Sequence, residues 1–220
     1  SVNAVEVSSQ ITASNDYRFR GISQTKSDPA VSATLDLTFD QGFVAGLWTG
    51  NIDFGVKGDI EIDYYAGYYS ELNESTSFLV TYAYYTYSGL AFDADFGELG
   101  GQLFYDNFTF EIQLTNDFAT TDESALYIAA NYTYPLANKW AQLENITLAL
   151  HAGYSSGDYW DTYDIGAYSD YSLGITADFL GLNLSLNYLF NNIDNQYKND
   201  RGYFRNDNLV KFNISKTFAL

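Results

Sequence analysis

The feature that most constrains this chain is a period-2 alternation of apolar and polar residues that recurs from end to end. In VEVSSQITASNDYRFRG, Val5, Val7, Ile11, Ala13, Tyr17 and Phe19 alternate with Glu6, Ser8, Gln10, Thr12, Ser14, Asp16, Arg18 and Arg20. Successive side chains of a strand point to opposite sides, so this pattern marks a strand with two unlike faces. The same scheme runs through AVSATLDLTFD, DIEIDYYAGYY, FTFEIQLTND, ITLALHAGYS, YSLGITADF, LNLSLNYLFN and VKFNISKTF. Weaker versions in FVAGLWTG, SFLVTYAYYTY, ELGGQLFY and ALYIAANYTY bring the total to about twelve strands. An even count of short antiparallel strands is the habit of bacterial outer-membrane barrels. The expected fold is all-β, a single antiparallel up-and-down transmembrane β-barrel occupying residues 1–220.

Period alone does not say which face meets water. A soluble barrel turns its apolar face inward, whereas a membrane barrel turns it to lipid and lines a wet lumen with the polar one. Charged residues make up only 17% of the chain, against roughly 25% for a soluble domain. Aromatics reach 18%, with 21 Tyr and 16 Phe, which suits interfacial girdles where hydroxyls reach water. The polar face is largely Ser, Thr, Asn, Gln, Gly and Tyr, where a solvated sheet would carry more Lys and Glu. Connections alternate in length: GISQTKSDPA, SGLAFDADFGE and SGDYWDTYDIGAYSD are long, while DQG, YDN and LG are short. PLANKWAQLEN reads as an exception, a longer loop with a helical turn. Lipid is therefore the expected partner of the outer wall, and the bacterial outer membrane the expected location. The chain contains no Met, so Ser1 reads as a mature N-terminus after signal cleavage. A net charge of −18 leaves no basic surface for a nucleic acid, and with no Cys disulfides and thiolate metal sites are excluded.

The segment YRFRGISQTKSDPAVSATLDL resembles the N-terminal signature of the TorF-type porin family of proteobacteria, an aromatic strand, an R-G-x-S turn, a polar stretch, then P-A and a second strand. Here those positions are Arg20, Gly21, Ser23, Pro29 and Ala30. GFVAGLWTGNIDF, IEIDYYAGY and ISKTF resemble its third, fourth and last strands. The resemblance implies an outer-membrane barrel and a porin role with no established substrate.

With both termini periplasmic, the first strand runs outward, and unbroken alternation puts Arg18 and Arg20 on its luminal face near the outer mouth. Lys211 comes from the last strand, which must pair with the first, so the three cations form one basic seam. Asp59, Glu61 and Asp63 face it from the fourth strand, with Asp36 deeper and Glu111 and Asp178 adding to the acidic wall. Opposed walls of this kind orient dipolar solutes and set ion preference. The competing reading is that both arginines pair with Asp16 or neighbouring acids and stiffen the wall. Asp59, Glu61 and Asp63 sit roughly 6.6 Å apart along one face, and a cation, an Arg or a proton must relieve their repulsion. His151 is the only histidine. Ser155, on the same face, is about 13 Å along the strand, too far for a nucleophile–base bond. No catalytic group, cofactor or metal is expected. The expected work is passive passage of small hydrophilic solutes, cationic or neutral. The alternatives are a plugged structural or adhesive barrel whose loops bind a partner, and an outer-membrane lipid-modifying enzyme.

Overall fold

Alternating sequence becomes strand wherever each N–H and C=O finds a neighbour, and in lipid only a closed sheet provides one for every strand. In the computed structural model, which describes residues 5–54, 60–90, 92–194 and 204–220, twelve antiparallel strands close into a barrel. In chain order the elements begin with β1 (Val5–Ser14) and a small hairpin of β2 (Arg18–Phe19) and β3 (Ile22–Ser23) that stands apart from the wall. The wall continues with β4 (Ala30–Phe39), β5 (Phe43–Asn51), β6 (Ile60–Asn73), β7 (Thr76–Ser88), β8 (Phe96–Tyr105) and β9 (Phe108–Thr115). It is completed by β10 (Ala125–Trp140), β11 (Leu143–Ser156), β12 (Tyr168–Phe179), β13 (Leu182–Asn191) and β14 (Leu209–Ala219). A short helix, α1 (Asp158–Thr162), lies between β11 and β12. β1 pairs with both β4 and β14, so no strand edge is left open.

Loop length sorts by end. The connections 40–42, 74–75, 106–107, 141–142 and 180–181 are tight turns on the rim that also carries both termini. The opposite rim carries the described residues of the longer connections, 15–29, 52–54, 89–90, 92–95, 116–124, 157–167, 192–194 and 204–208. The long loop expected in PLANKWAQLEN is instead the end of β10 and the start of β11. A register shift between Pro135 and Ala137 absorbs the proline, which has no N–H to give a regular ladder.

Register settles the faces. Val31, Leu35, Ile60, Ile62, Ile112, Leu148, Leu184 and Phe212 share one side of the sheet; Thr34, Asp36, Glu61, Gln113 and Asn187 share the other. The apolar set is the exposed one, with Leu186 at 54%, Leu173 at 52% and Ile175 at 48%. Phe43, Tyr68, Tyr105 and Phe108 lie toward the short-turn rim, and Tyr84, Tyr154, Tyr171 and Phe190 toward the other, all exposed. A wall that exposes leucine between two aromatic belts is built to meet lipid.

The first strand is shorter than its sequence pattern. β1 stops at Ser14, and Arg18 and Arg20 are not on the wall. Arg20 (φ 49) and Gly21 (φ 83) are both left-handed, as the two central residues of a type I′ hairpin turn must be. β2 therefore folds back on β3. The tip packs against β12, where a Cβ on Gly21 would stand 2.8 Å from Asp170 Cβ. Ile22 and Ser23 are buried. The R-G-x-S motif is thus the tip of a hairpin folded into the lumen.

Candidate functional site

The lumen is the candidate site, and the inserted hairpin is its centrepiece. Asp16, fully buried, organises the base of the hairpin. Its Oδ1 accepts hydrogen bonds from Ser23 Oγ (2.6 Å) and Thr25 Oγ1 (2.9 Å), and its Oδ2 pairs with Arg18 Nε. Arg18 also donates to Asp207 Oδ1 (3.1 Å) and to the Gly21 carbonyl (3.1 Å). Arg20 makes a two-pronged pair with Glu98 of β8 (2.8 and 2.7 Å), and Tyr85 donates to the same carboxylate (3.0 Å). The Arg20 guanidinium lies over the Phe19 and Tyr127 rings, 4.4 and 4.7 Å from their centroids. Burial lowers the Arg20 pKa, but the Glu98 charge and hydrogen bonds outweigh it and raise the value above its ordinary one. Backbone ties complete the anchorage: Ser23 N–H donates to the Arg205 carbonyl, and Asp53 N–H to that of Gln24 (2.7 Å each).

The basic seam is therefore not formed. Of its three members only Lys211 stands on the wall, on β14. The arginines left it when the chain reversed at Arg20–Gly21, and both are engaged in ion pairs. Glu98, the main partner of Arg20, was not singled out from sequence; its only signal was its luminal phase within the weakly patterned ELGGQLFY.

The acidic residues divide into satisfied and unsatisfied groups. Asp36 accepts from Thr34 Oγ1 (2.9 Å) and from the Tyr65 hydroxyl. Glu111 accepts from Asn131, and Asp178 from Asn145 (2.8 Å) and Asn183 (3.0 Å) near the short-turn rim. Glu61 and Asp63 on β6 are different. Both are buried, at 1% and 8% exposure, and among the described residues Glu61 Oε2 and Asp63 Oδ1 have no hydrogen-bond partner. Asp59 lies outside the described residues. The Tyr17 phenol, on the loop before the hairpin, is pushed well above its usual pKa by burial and by the Glu61 and Asp63 charges.

His151 faces the Tyr127 hydroxyl (3.1 Å), Asn131 Oδ1 (2.7 Å) and Asp170 Oδ1 (3.0 Å). Among the described residues no serine hydroxyl is hydrogen-bonded to it.

Two polar cavities flank the hairpin, of about 510 and 320 Å³, and Arg18, Lys211 and Asn213 border both. A third, of about 400 Å³, is aromatic and lies among the long loops, lined by Phe96, Phe118 and Trp160. Those rings belong to one buried cluster with Ile22 of the hairpin and Tyr159 of α1.

Solved structures of similar fold include the KdgM porin, 7% identical over 98% of this chain and 99% of that one, with a TM-score of 0.55. The NanC porin is 12% identical over 99% and 100% of the two chains, with a TM-score of 0.57. KdgM has also been solved in complex with disordered oligogalacturonate. At these identities the likeness is one of fold. No sequence among the curated proteins matches. The sequence profile that matches residues 1–218 is that of Gcw_chp, described as a bacterial protein of unknown function. The chain belongs to the Gcw_chp family.

Proposed function

We propose that the protein is a bacterial outer-membrane channel for small hydrophilic solutes, neutral or cationic, with the inserted hairpin as its constriction. The observation that carries this reading is the charge balance of the lumen. Arg18 and Arg20 are consumed in ion pairs with Asp16, Asp207 and Glu98. Glu61 and Asp63 keep unpartnered oxygens on the wall. A pore lined this way holds a negative potential, which concentrates cations and repels anions. The KdgM porin has been solved with oligogalacturonate, a polyanion; the wall described here argues against such a cargo. No covalent chemistry is required.

The test is solute flux into liposomes carrying the purified barrel. Arabinose and a small ammonium salt should enter faster than gluconate of similar size. Faster gluconate entry would overturn the charge argument. No flux of any solute would favour the second reading, an occluded barrel whose loops bind a partner. That reading draws on the aromatic cluster and hairpin that fill the long-loop end of the lumen.

A further inference from the structure

Glu61 and Asp63 are neighbours on one face of β6, and each is more than nine-tenths buried with an oxygen that nothing satisfies. Unpaired buried carboxylates are costly, and nothing in the fold requires two of them side by side. Their surroundings are chemically particular. Trp48, on β5, is the register partner of Asp63, and Gly50 is that of Glu61. The Trp48 indole lies flat over Gly50, so close that a Cβ there would stand 2.5 Å from its Cη2 atom. The missing side chain at Gly50 is what lets the ring lie along the wall beside Glu61. Tyr17 packs on Trp48 with ring centroids 5.0 Å apart, and its hydroxyl addresses the Glu61 carboxyl. Trp48, Tyr17, Tyr85 and Asp63 all line the 510 Å³ cavity. The cations on that cavity are Arg18, already paired with Asp16 and Asp207, and Lys211 on β14, four strands round the wall.

Carboxylates with free acceptor positions want N–H donors, and the faces of Trp and Tyr attract a positive charge and its attached methylenes. A bare metal ion fits less well, because among the described residues no group of three ligating side chains converges. We propose that Asp63, Trp48 and Tyr17, with Glu61 behind them, form a binding site for a small organic ammonium solute. This deepens the channel reading by naming the class of solute that dwells in the lumen.

The test reads binding without requiring conductance. The purified barrel in detergent is titrated at pH 7 with butylammonium chloride while tryptophan emission is followed, against butanol and sodium chloride. Saturable quenching by butylammonium alone is expected. It should weaken at least tenfold in Asp63→Asn and in Glu61→Gln, and the signal should vanish in Trp48→Phe. Both carboxamide variants keep the size and shape of the side chain they replace, so they should fold, which heat-modifiable gel mobility checks. No saturable quenching would overturn the site, as would equal affinity in a folded Asp63→Asn or an equal response to butanol. A barrel that binds butylammonium but passes no solute keeps this inference and loses the channel; one that passes solutes without saturable binding does the reverse.

Discussion

Replacing Arg20 by Met should release the hairpin and leave the barrel standing. Arg20 and Glu98 are 7% and 0% exposed at their side chains, so the substitution strands a buried carboxylate without its partner. Removing one partner of a buried pair costs about 3–5 kcal/mol. Loss of the guanidinium from above Phe19 and Tyr127 adds roughly 0.5–2 kcal/mol. The ties that oppose release include Ser23 to Arg205, Asp53 to Gln24, the Tyr168 hydroxyl to the Arg20 carbonyl (3.0 Å), Arg18 to Asp207 and Lys26 to Asp53, with Ile22 in the buried cluster. Such bonds are worth about 0.5–1.5 kcal/mol each, so the loss removes a large share of what holds the hairpin in. The barrel ladder shares none of these contacts. Even about 3 kcal/mol raises the released population roughly a hundredfold. Limited trypsin digestion should then cut after Arg18 at least tenfold faster than in the wild type, with strand content by circular dichroism unchanged. The double variant Arg20→Met/Glu98→Leu removes both charges of this pair and should restore protection. Wild-type protection in Arg20→Met, or no rescue in the double variant, would refute the reasoning.

Three further outcomes follow from the same geometry. Leu148→Arg places a charge on the lipid face and should cost about 2–4 kcal/mol of barrel stability, read by urea titration in lipid vesicles. Burial works against the Asp207 carboxylate, but bonds from Arg205 and Ser27 and the Arg18 charge hold its pKa below the ordinary value. Its contribution to hairpin anchoring is therefore present above the ordinary carboxylate value of about 3.9 and lost as pH falls through the depressed one. Pepsin access to the hairpin should rise only below that range, and a rise near neutrality would contradict it. Gly50→Ala should lift the Trp48 indole off the wall, shifting its emission and weakening butylammonium binding, with the emission spectrum as the first check.

Most of the barrel was legible because its signal is local. The faces of β4, β6, β9 and β13 follow from period-2 alternation, and the register confirms them residue by residue. The hairpin was not legible for the same reason. β2 is also extended, so Tyr17 to Arg20 continue the alternation of β1 although the chain has left the wall. The one local clue was Gly21, whose φ of 83 suits a reversal. The extent of β10 was hidden by Pro135 and the polar run after it, which read as loop until the partner strand supplied a bulge. Pairings such as Arg20 with Glu98 join residues far apart in sequence, and no spacing rule reaches across a lumen. Luminal phase could be assigned to Glu61 and Asp63, but that each would keep an oxygen without a hydrogen-bond partner among the described residues emerged only with the hairpin in place.

The reversal potential of the wild-type barrel in a planar bilayer, with a tenfold KCl gradient, tests the luminal charge balance most directly. With Arg18 and Arg20 held in ion pairs and Glu61 and Asp63 uncompensated, the potential should have the sign of cation selectivity. It should grow as ionic strength falls and the Debye length lengthens toward about 30 Å at 0.01 M. A potential of the opposite sign would mean that Lys211 and the cations of the long loops govern the lumen, and would contradict the account.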